Sequence, residues 1–547
     1  MWVCLQNCHL YTSWMGTLEK IQEKADGNQL HKDYRLFLTS DPSPRFPVPV
    51  LQSGIKVTQE APRGLKANMT RTFTDLGEAR YEACSKPKEY KKLVFALAYF
   101  HSAILERRKY GAIGWNIAYQ WMNSDFEISE GQLQMYLNEQ PEVPYAALNY
   151  LTAQVNYGGR VTDDKDIRLI NAMLKKYYCP EIMNEGYKLS KLDTYYAPPE
   201  GPLSDCLAYI AQLPLDEDPE VFGLHSNANM AYETKLVNEF MNEILIIQPR
   251  VSGGAVKKTP DMICTELAQD FADRWPENID VDKAAPATFA KTAQGATNSL
   301  GVFVGQEIAR FNKLLSVIRK QLDDLKKAIA GTLVMSQELE KLFNSFLDNR
   351  VPEQWLGASL GYPSLKPLGS WIKDIILRIE FMADWCYNGP PKTYWLPAFF
   401  FPQGFMTATL QTYARATMTA IDTLAFKTNV VGIRGEDVKE APETGVNIHG
   451  LYFQGAKWDY QKNLVEDSDP KVPLVDFPVI WLEPCDLESL STEGTYACPL
   501  YKTSLRAGEL STTGHSTNFV LYLALPSKQH GDYWVRRGAA LLCMTDD

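Results

Sequence analysis

Cysteine is sparse in this protein, with 10 in 547 residues, irregularly spaced and with no C-x-x-C pair. That argues against a disulfide framework or a zinc ribbon and points to a reducing, intracellular compartment. Long apolar runs are also missing. None approaches the roughly 18–20 residues that span a bilayer, so no membrane partner is expected. Basic residues are in deficit, 55 Lys and Arg against 66 Asp and Glu, for a net charge of −11. No nucleic-acid partner is expected either, because such binding relies on cations to neutralise phosphates. Catalytic strings are scarce as well: there is no G-x-x-x-x-G-K-[ST] and no H-E-x-x-H, the patterns that cradle a phosphate or hold a catalytic zinc.

What is present reads as a folded, multidomain protein. Hydrophobic residues make up 45% and charged residues 22%, and at about 150 residues per domain the length allows three or four domains. The sequence opens inside an apolar run, Trp2-Val3-Cys4-Leu5, which reads as a buried strand. A helix is expected from about Ser13 to Ala25, with Trp14, Leu18 and Ile21 on one face, and a second strand over Tyr34–Ser40. Strand, helix and strand make half of an α/β unit. Its other strands are expected upstream or from a partner. The opening residues lack the basic region that starts a signal peptide.

A helical layer follows. Leu93, Leu97, Phe100 and Ile104 recur at helical spacing, and Glu106-Arg107-Arg108-Lys109 reads as a solvated helix end stopped by Gly111. Ser129–Asn138 reads as a short helix. Another helix starts after Tyr157-Gly158-Gly159-Arg160-Val161-Thr162-Asp163-Asp164, with Thr162 as its expected N-cap and the two aspartates in its first turn. Arg160 has two readings, a contact to a phosphate or neighbouring module and an exposed cation in a tight turn. The Pro-rich Ala197–Pro202 marks a boundary. Beyond it, Ile308 to Ile329 forms an amphipathic helix of about 25 residues, and Leu368 to Met382 forms another. The aromatic Tyr394–Phe401 is expected as an extended core segment that ties helices to strands. From about Thr428 the period changes to 2. Strands are expected at Tyr452–Phe453, Phe477–Leu482, Tyr496–Tyr501, Phe519–Leu525 and within Trp534–Cys543, as a small barrel or sandwich.

Few residues invite a chemical reading. Ser252-Gly253-Gly254-Ala255-Val256-Lys257-Lys258-Thr259 has the wrong spacing for a phosphate loop. Cys4, Cys8 and His9 resemble a metal cluster but sit in and beside a strand, where packing explains them. His515, in Ser511–Thr517, would need an orienting acid for a Ser–His pair and reads otherwise as part of a hydroxyl-rich turn entering a strand, and His225 is open in the same way. No catalytic, cofactor-binding or metal-binding residue is assigned.

Several strings resemble dynein heavy chains. Leu5-Gln6-Asn7-Cys8-His9-Leu10 with Ser13-Trp14, and Phe37-Leu38-Thr39-Ser40 with Phe46-Pro47-Val48, are similar to the sixth AAA+ module. Pro62-Arg63-Gly64-Leu65-Lys66-Ala67-Asn68 resembles the entry to its lid. The likeness continues through Tyr157–Asp164, Gly223–Asn229, Tyr362–Leu368, Phe401–Phe405 and Gly450–Asp459. The Ser511–Asn518 ending is most similar to ciliary, axonemal heavy chains.

The resemblance implies an α+β multidomain fold. Residues 1–61 would be the C-terminal half of the sixth module's α/β large domain, and 62–203 its helical lid. Residues 204–547 would be the C-terminal domain, helical to about 427 and then a small antiparallel β-barrel. It implies part of an ATP-driven, minus-end-directed microtubule motor, located in the cytoplasm, cytoskeleton and the axoneme of cilia or flagella. The implied partners are the remaining AAA+ modules, the dynein intermediate, light intermediate and light chains, and microtubules. ATP and Mg belong to the full-length family, and no cofactor is expected in these residues. The alternative is a free-standing, non-motor protein of ring packing or dynein assembly.

Overall fold

The computed structural model describes residues 2–24, 31–43, 46–58, 62–247, 259–291, 295–357, 359–508 and 517–546. The protein divides into two compact units, residues 1–62 and 63–547.

In the first unit, β1 (Trp2–Leu5) and β2 (Arg35–Leu38) pair in parallel, Trp2 opposite Arg35 and Leu5 opposite Leu38. Parallel neighbours need a crossover, and α1 (Met15–Glu23) lies within it, with α2 (Val48–Ser53) following β2. The core is small: Cys8, Met15, Leu18 and Val50. β1 is not the buried strand expected from its composition. Its residues alternate between exposed and half-buried, and Trp2 is 74% exposed. One neighbouring strand and two short helices cover too little of its surface.

The second unit begins with helices α3 (Leu65–Tyr81), α4 (Pro87–Glu106), α5 (Asn123–Glu139), α6 (Tyr145–Tyr150), α7 (Asp164–Tyr177) and α8 (Leu203–Gln212). α4 is the centre of this layer. Every residue from Tyr90 to Ile104 is buried, so α3, α5 and α7 surround a helix whose one-sided apolar stripe understates its burial. The next helices are α9 (Ala228–Ile247), α10 (Pro260–Arg274), α11 (Ser299–Ile329), α12 (Gln337–Leu347), α13 (Glu353–Leu356), α14 (Leu368–Asn388) and α15 (Pro402–Thr417). α11 is longer than its apolar spacing predicts, at 31 residues, because Asn298 caps it by accepting the Gly301 N–H.

The strands are β3 (Tyr394–Trp395), β4 (Leu424–Val430), β5 (Val446–His449), β6 (Tyr452–Gln454), β7 (Lys457–Asp459), β8 (Leu464–Glu466), β9 (Leu474–Asp476), β10 (Ile480–Asp486), β11 (Thr495–Tyr501), β12 (Phe519–Pro526) and β13 (Ala540–Leu542). They do not close the small antiparallel barrel expected. Among the described residues they form a four-stranded sheet, β3-β5-β10-β4, a five-stranded sheet, β12-β11-β13-β6-β9, and the ribbon β7-β8. Both larger sheets are mixed, with β3 parallel to β5 and β11 parallel to β13. The edges β4 and β12 meet without a ladder, and the Ala524 N–H donates to the Thr428 hydroxyl at 3.2 Å. A side chain occupies the place a carbonyl would need to continue the sheet.

Trp534–Arg537 is helical rather than extended. α16 (Gly531–Arg537) starts where the His530 side chain accepts the Asp532 N–H and ends at Gly538, φ 66°. The last turn carries Arg536 and Arg537, cations that suit a helix C-terminus. The aromatic segment is placed as expected. Tyr394 and Trp395 form β3, and Tyr394, Leu396, Ala398, Phe399 and Phe400 are buried in the core shared by helices and sheets.

The two units predict different stabilities. Among the described residues of the first unit, two paired strands and a four-residue buried core give little cooperative protection. In hydrogen exchange, β1 and β2 amides should exchange well before those of β10 and β11. Equal protection would show that the first unit gains its stability in some other way.

Candidate functional site

A constellation of buried polar groups in the second unit lies where the helical layer meets the strands. Arg107 follows directly on α4 and is wholly buried. Its guanidinium donates to three backbone carbonyls: Gly114 at 3.2 Å, Phe222 at 2.6 Å and Arg536 at 2.9 Å. Each lies at or near the C-terminal end of a helical segment, residues 107–113, 219–222 and 531–537. Such ends carry unsatisfied carbonyls and partial negative charge, which a rigid fork of N–H donors can satisfy together. Burial lowers the Arg107 pKa to about 9.

Arg537 adds a second tie. It pairs with Glu220 at 2.6 Å, donates to the Leu224 carbonyl at 2.5 Å and to the Tyr533 hydroxyl at 3.0 Å, and lies 3.3 Å from Asp467. Arg536 reaches the Ala172 carbonyl of α7 at 2.9 Å. Gly223 sits between these ties at φ 82°, and a Cβ there would lie 3.3 Å from the Arg536 side chain. Glycine meets both the left-handed turn and the close approach.

The run Glu106–Lys109 is therefore not a solvated helix end. Glu106 accepts the Gly64 N–H at 2.7 Å, and Glu217 accepts the Leu65 N–H at 2.5 Å, so two carboxylates cap the start of α3. Lys109 lies 4.0 Å from Glu106 and 3.8 Å from Glu217. An open groove lined by Leu105, Arg108, Leu215 and Tyr232 adjoins this cap.

A third junction joins α11 to the sheets. Glu307 is buried and accepts the Phe400 N–H at 2.6 Å, while Lys502 donates to the Phe400 carbonyl at 3.1 Å. Phe400 packs on Phe311, with ring centroids 4.2 Å apart. Burial pushes the Glu307 carboxyl up to about 7 and pulls Lys502 down to about 8.

The residues singled out from sequence are placed as follows. Arg160 pairs with Asp125 at 3.2 Å. Asp163, not Thr162, caps α7 by accepting the Lys165 N–H, because its side chain lies one residue before the helix. Asp164 is paired with Lys165, and Asp166 is buried, accepting the Asn116 and Ile117 N–H groups at 3.0 and 3.1 Å. His225 accepts the Asn227 N–H at 3.2 Å, and burial lowers its pKa. Asn227 in turn donates to the Asp469 and Val472 carbonyls and accepts the Lys471 N–H, so Gly223–Asn229 clasps the turn before β9.

Cys8 donates to the Leu5 carbonyl, and His9 accepts the Asp41 N–H. Among the described residues no cluster of His, Cys, Asp and Glu could hold a metal ion, and no helix is long and apolar enough to cross a membrane. Residues 252–258 and His515 lie outside the described residues. A G-x-S-x-G string, which the sequence reading takes to be absent, is present as Gly357-Ala358-Ser359-Leu360-Gly361. It follows the helix α13 rather than a strand, so it lacks the strand-to-helix elbow that exposes a nucleophilic Ser. The buried Arg107 and Arg537 also escape such reasoning, since no local pattern marks a cation whose partners are hundreds of residues away.

Comparison with known proteins agrees from the first residues to the last. Residues 1–58 match the family model for the dynein heavy chain region D6 P-loop domain, and residues 90–228 that for the dynein heavy chain AAA lid domain. Residues 234–543 match the model for the C-terminal domain of dynein heavy chains. The protein is 44% identical to human dynein axonemal heavy chain 6, over 100% of its own length and 14% of that relative's. It is 42% identical to mouse dynein axonemal heavy chain 3, of which it covers 13%, and 42% identical to human dynein axonemal heavy chain 12, of which it covers 18%; both alignments take in 100% of its residues. It thus spans less than a fifth of the length of these relatives.

Two outcomes test this account. Arg537→Ala leaves Glu220 without its buried partner and should lower unfolding stability by about 3–5 kcal/mol. Arg537→Lys should restore less than half, because an ammonium cannot reach Glu220, Leu224 and Tyr533 together. A loss below about 1 kcal/mol would mean an exposed pair instead. The second outcome concerns pH. The Glu307 carboxyl binds its proton more tightly folded than unfolded, about 7 against 4.5. Its contribution is therefore fully present below about pH 4.5 and is lost as pH rises through about 7. Urea unfolding across this range should show a shallower decline for Glu307→Gln than for the parent protein.

Proposed function

The protein belongs to the dynein heavy chain family, and from that premise we propose that it serves as the C-terminal portion of an axonemal dynein heavy chain. The whole would be an ATP-driven, minus-end-directed microtubule motor of cilia and flagella. In this reading these residues close and brace the AAA+ ring without catalysing the reaction. The observation that carries it is order: the D6, lid and C-terminal matches follow one another in a single sequence. The bracing role rests on the seam. Arg107 and Arg537 join the helical layer, the connector at 219–224 and α16 by bonds to backbone, which hold a fixed geometry and transfer no group.

The partners proposed are the remaining AAA+ modules and, through the full complex, the intermediate, light intermediate and light chains and microtubules. The location proposed is the axoneme. ATP and Mg are assigned to other modules, since the sequence offers no phosphate loop here. The expected outcome is that the purified 547-residue protein releases no phosphate from ATP, with or without microtubules. Microtubule-stimulated turnover by this protein alone would overturn the non-catalytic assignment.

A further inference from the structure

Another buried guanidinium marks a site that the ring-closing role does not use. After β11 the backbone turns at Thr503–Ala507, and Arg506 adopts φ 56°, a left-handed conformation uncommon for a residue with a side chain. Asn518 secures the turn, accepting the Thr503 N–H at 3.1 Å and donating to the Ala507 carbonyl at 3.4 Å. This directs Arg506 inward, where it is 4% exposed. One terminal nitrogen donates to Gln454 Oε1 at 2.6 Å and to the Gly538 carbonyl at 2.7 Å. Its Nε is buried and has no partner among the described residues.

Across from it stands Asp166, 2% exposed, in the first turn of α7. The Asn116 and Ile117 N–H groups occupy one lone pair on each of its oxygens and the Tyr119 hydroxyl is a third partner, of about four that a carboxylate can take. A narrow cleft of about 40 Å³ is lined by Arg506 and Asp166 together with Asn116, Lys165, Tyr496 and Tyr501. The Tyr501 hydroxyl accepts from Asn116 at 2.9 Å, which leaves its own proton to donate. At 10–15 Å³ for each molecule, the cleft has room for about three waters.

We propose that ordered water fills this cleft, accepting from Arg506 Nε and donating to the Asp166 carboxylate, so that the two form a solvent-separated ion pair between α7 and the turn after β11. Water meets both needs at once, since it accepts from the guanidinium and donates to the carboxylate. A small anion, which Lys165 and Arg168 in the cleft lining would also attract, would satisfy Arg506 but could donate nothing to the Asp166 acceptors. The bridge would add a further polar link between the helical layer and the five-stranded sheet, beside the Asn116–Tyr501 and Arg168–Ala497 bonds.

A crystal structure of the full protein, at a resolution that shows ordered water and with a bromide-soaked companion crystal, tests this directly. The expected result is density within hydrogen-bond reach of both Arg506 Nε and an Asp166 oxygen, with no anomalous bromide peak. An empty cleft, a direct Arg506–Asp166 contact, or a bromide peak would each overturn the proposal. In urea unfolding, Asp166→Asn and Arg506→Met should be non-additive, with a coupling of about fivefold in the unfolding constant. Strict additivity would also overturn it. If either variant fails to fold, the crystal structure of the unmutated protein decides.

Discussion

The second unit depends on one buried cation. Arg107 lies beyond the reach of solvent, and its charge is met by carbonyls at the ends of three helical segments rather than by a carboxylate. Each of those ends would otherwise leave a buried acceptor unpaired, at about 1–3 kcal/mol apiece. The guanidinium therefore does more than pair a charge. It fixes where the connector at 219–224 and the helix α16 stand relative to α4, and Arg537 and Arg536 then lock α16 to Glu220 and to α7. A continuous apolar core, from Leu65 to Met544, fills the space that this polar frame defines.

Much of this is legible in the sequence, and the failures have physical causes. Apolar spacing locates α4, α11 and α14, and the aromatic Tyr394–Phe401 is recognisable as core because an extended run of rings has to be buried. The family resemblance rests on short strings spread from end to end, and the comparisons bear it out. The charged run after α4 misleads because charge ordinarily means solvent. Arg107 and its carbonyl partners at Phe222 and Arg536 are separated by 115 and 429 residues, and nothing local records that distance. Thr162 and Asp163 are both capping residues, and only the backbone decides which stands at the helix boundary.

The strand region shows a different limit. Alternation of period 2 reveals that a segment is extended with one face buried, but not which neighbour it finds. The strands split into two sheets whose facing edges, β4 and β12, are joined by a threonine hydroxyl rather than a ladder. Within Tyr533-Trp534-Val535 the bulky side chains favour a strand by composition. The cap at His530, the left-handed Gly538 and the two terminal arginines nevertheless make it a helix. Without that helix, Arg107 would lose the Arg536 carbonyl, so the misread segment is one on which the seam depends.

The start of α3 shows how far the protein's polar groups are committed to holding structure. A helix N-terminus offers free N–H groups and a favourable dipole, the combination by which such ends bind phosphate. Here the Gly64 and Leu65 N–H groups are already bound by Glu106 and Glu217. Those carboxylates come from the end of α4 and from the connector before residue 219, the same two regions that Arg107 joins. An anion supplied from within the protein thus occupies the position a phosphate would need, and Lys109 lies close to both carboxylates. Glu307 and Asp166 follow the same pattern, since each accepts backbone N–H groups deep in the fold. Buried carboxylates with raised proton affinity often mark catalytic sites. In this protein their partners are backbone amides at helix starts and turns, so the raised affinity follows from burial in a structural role. This distribution of charge fits the bracing role proposed above.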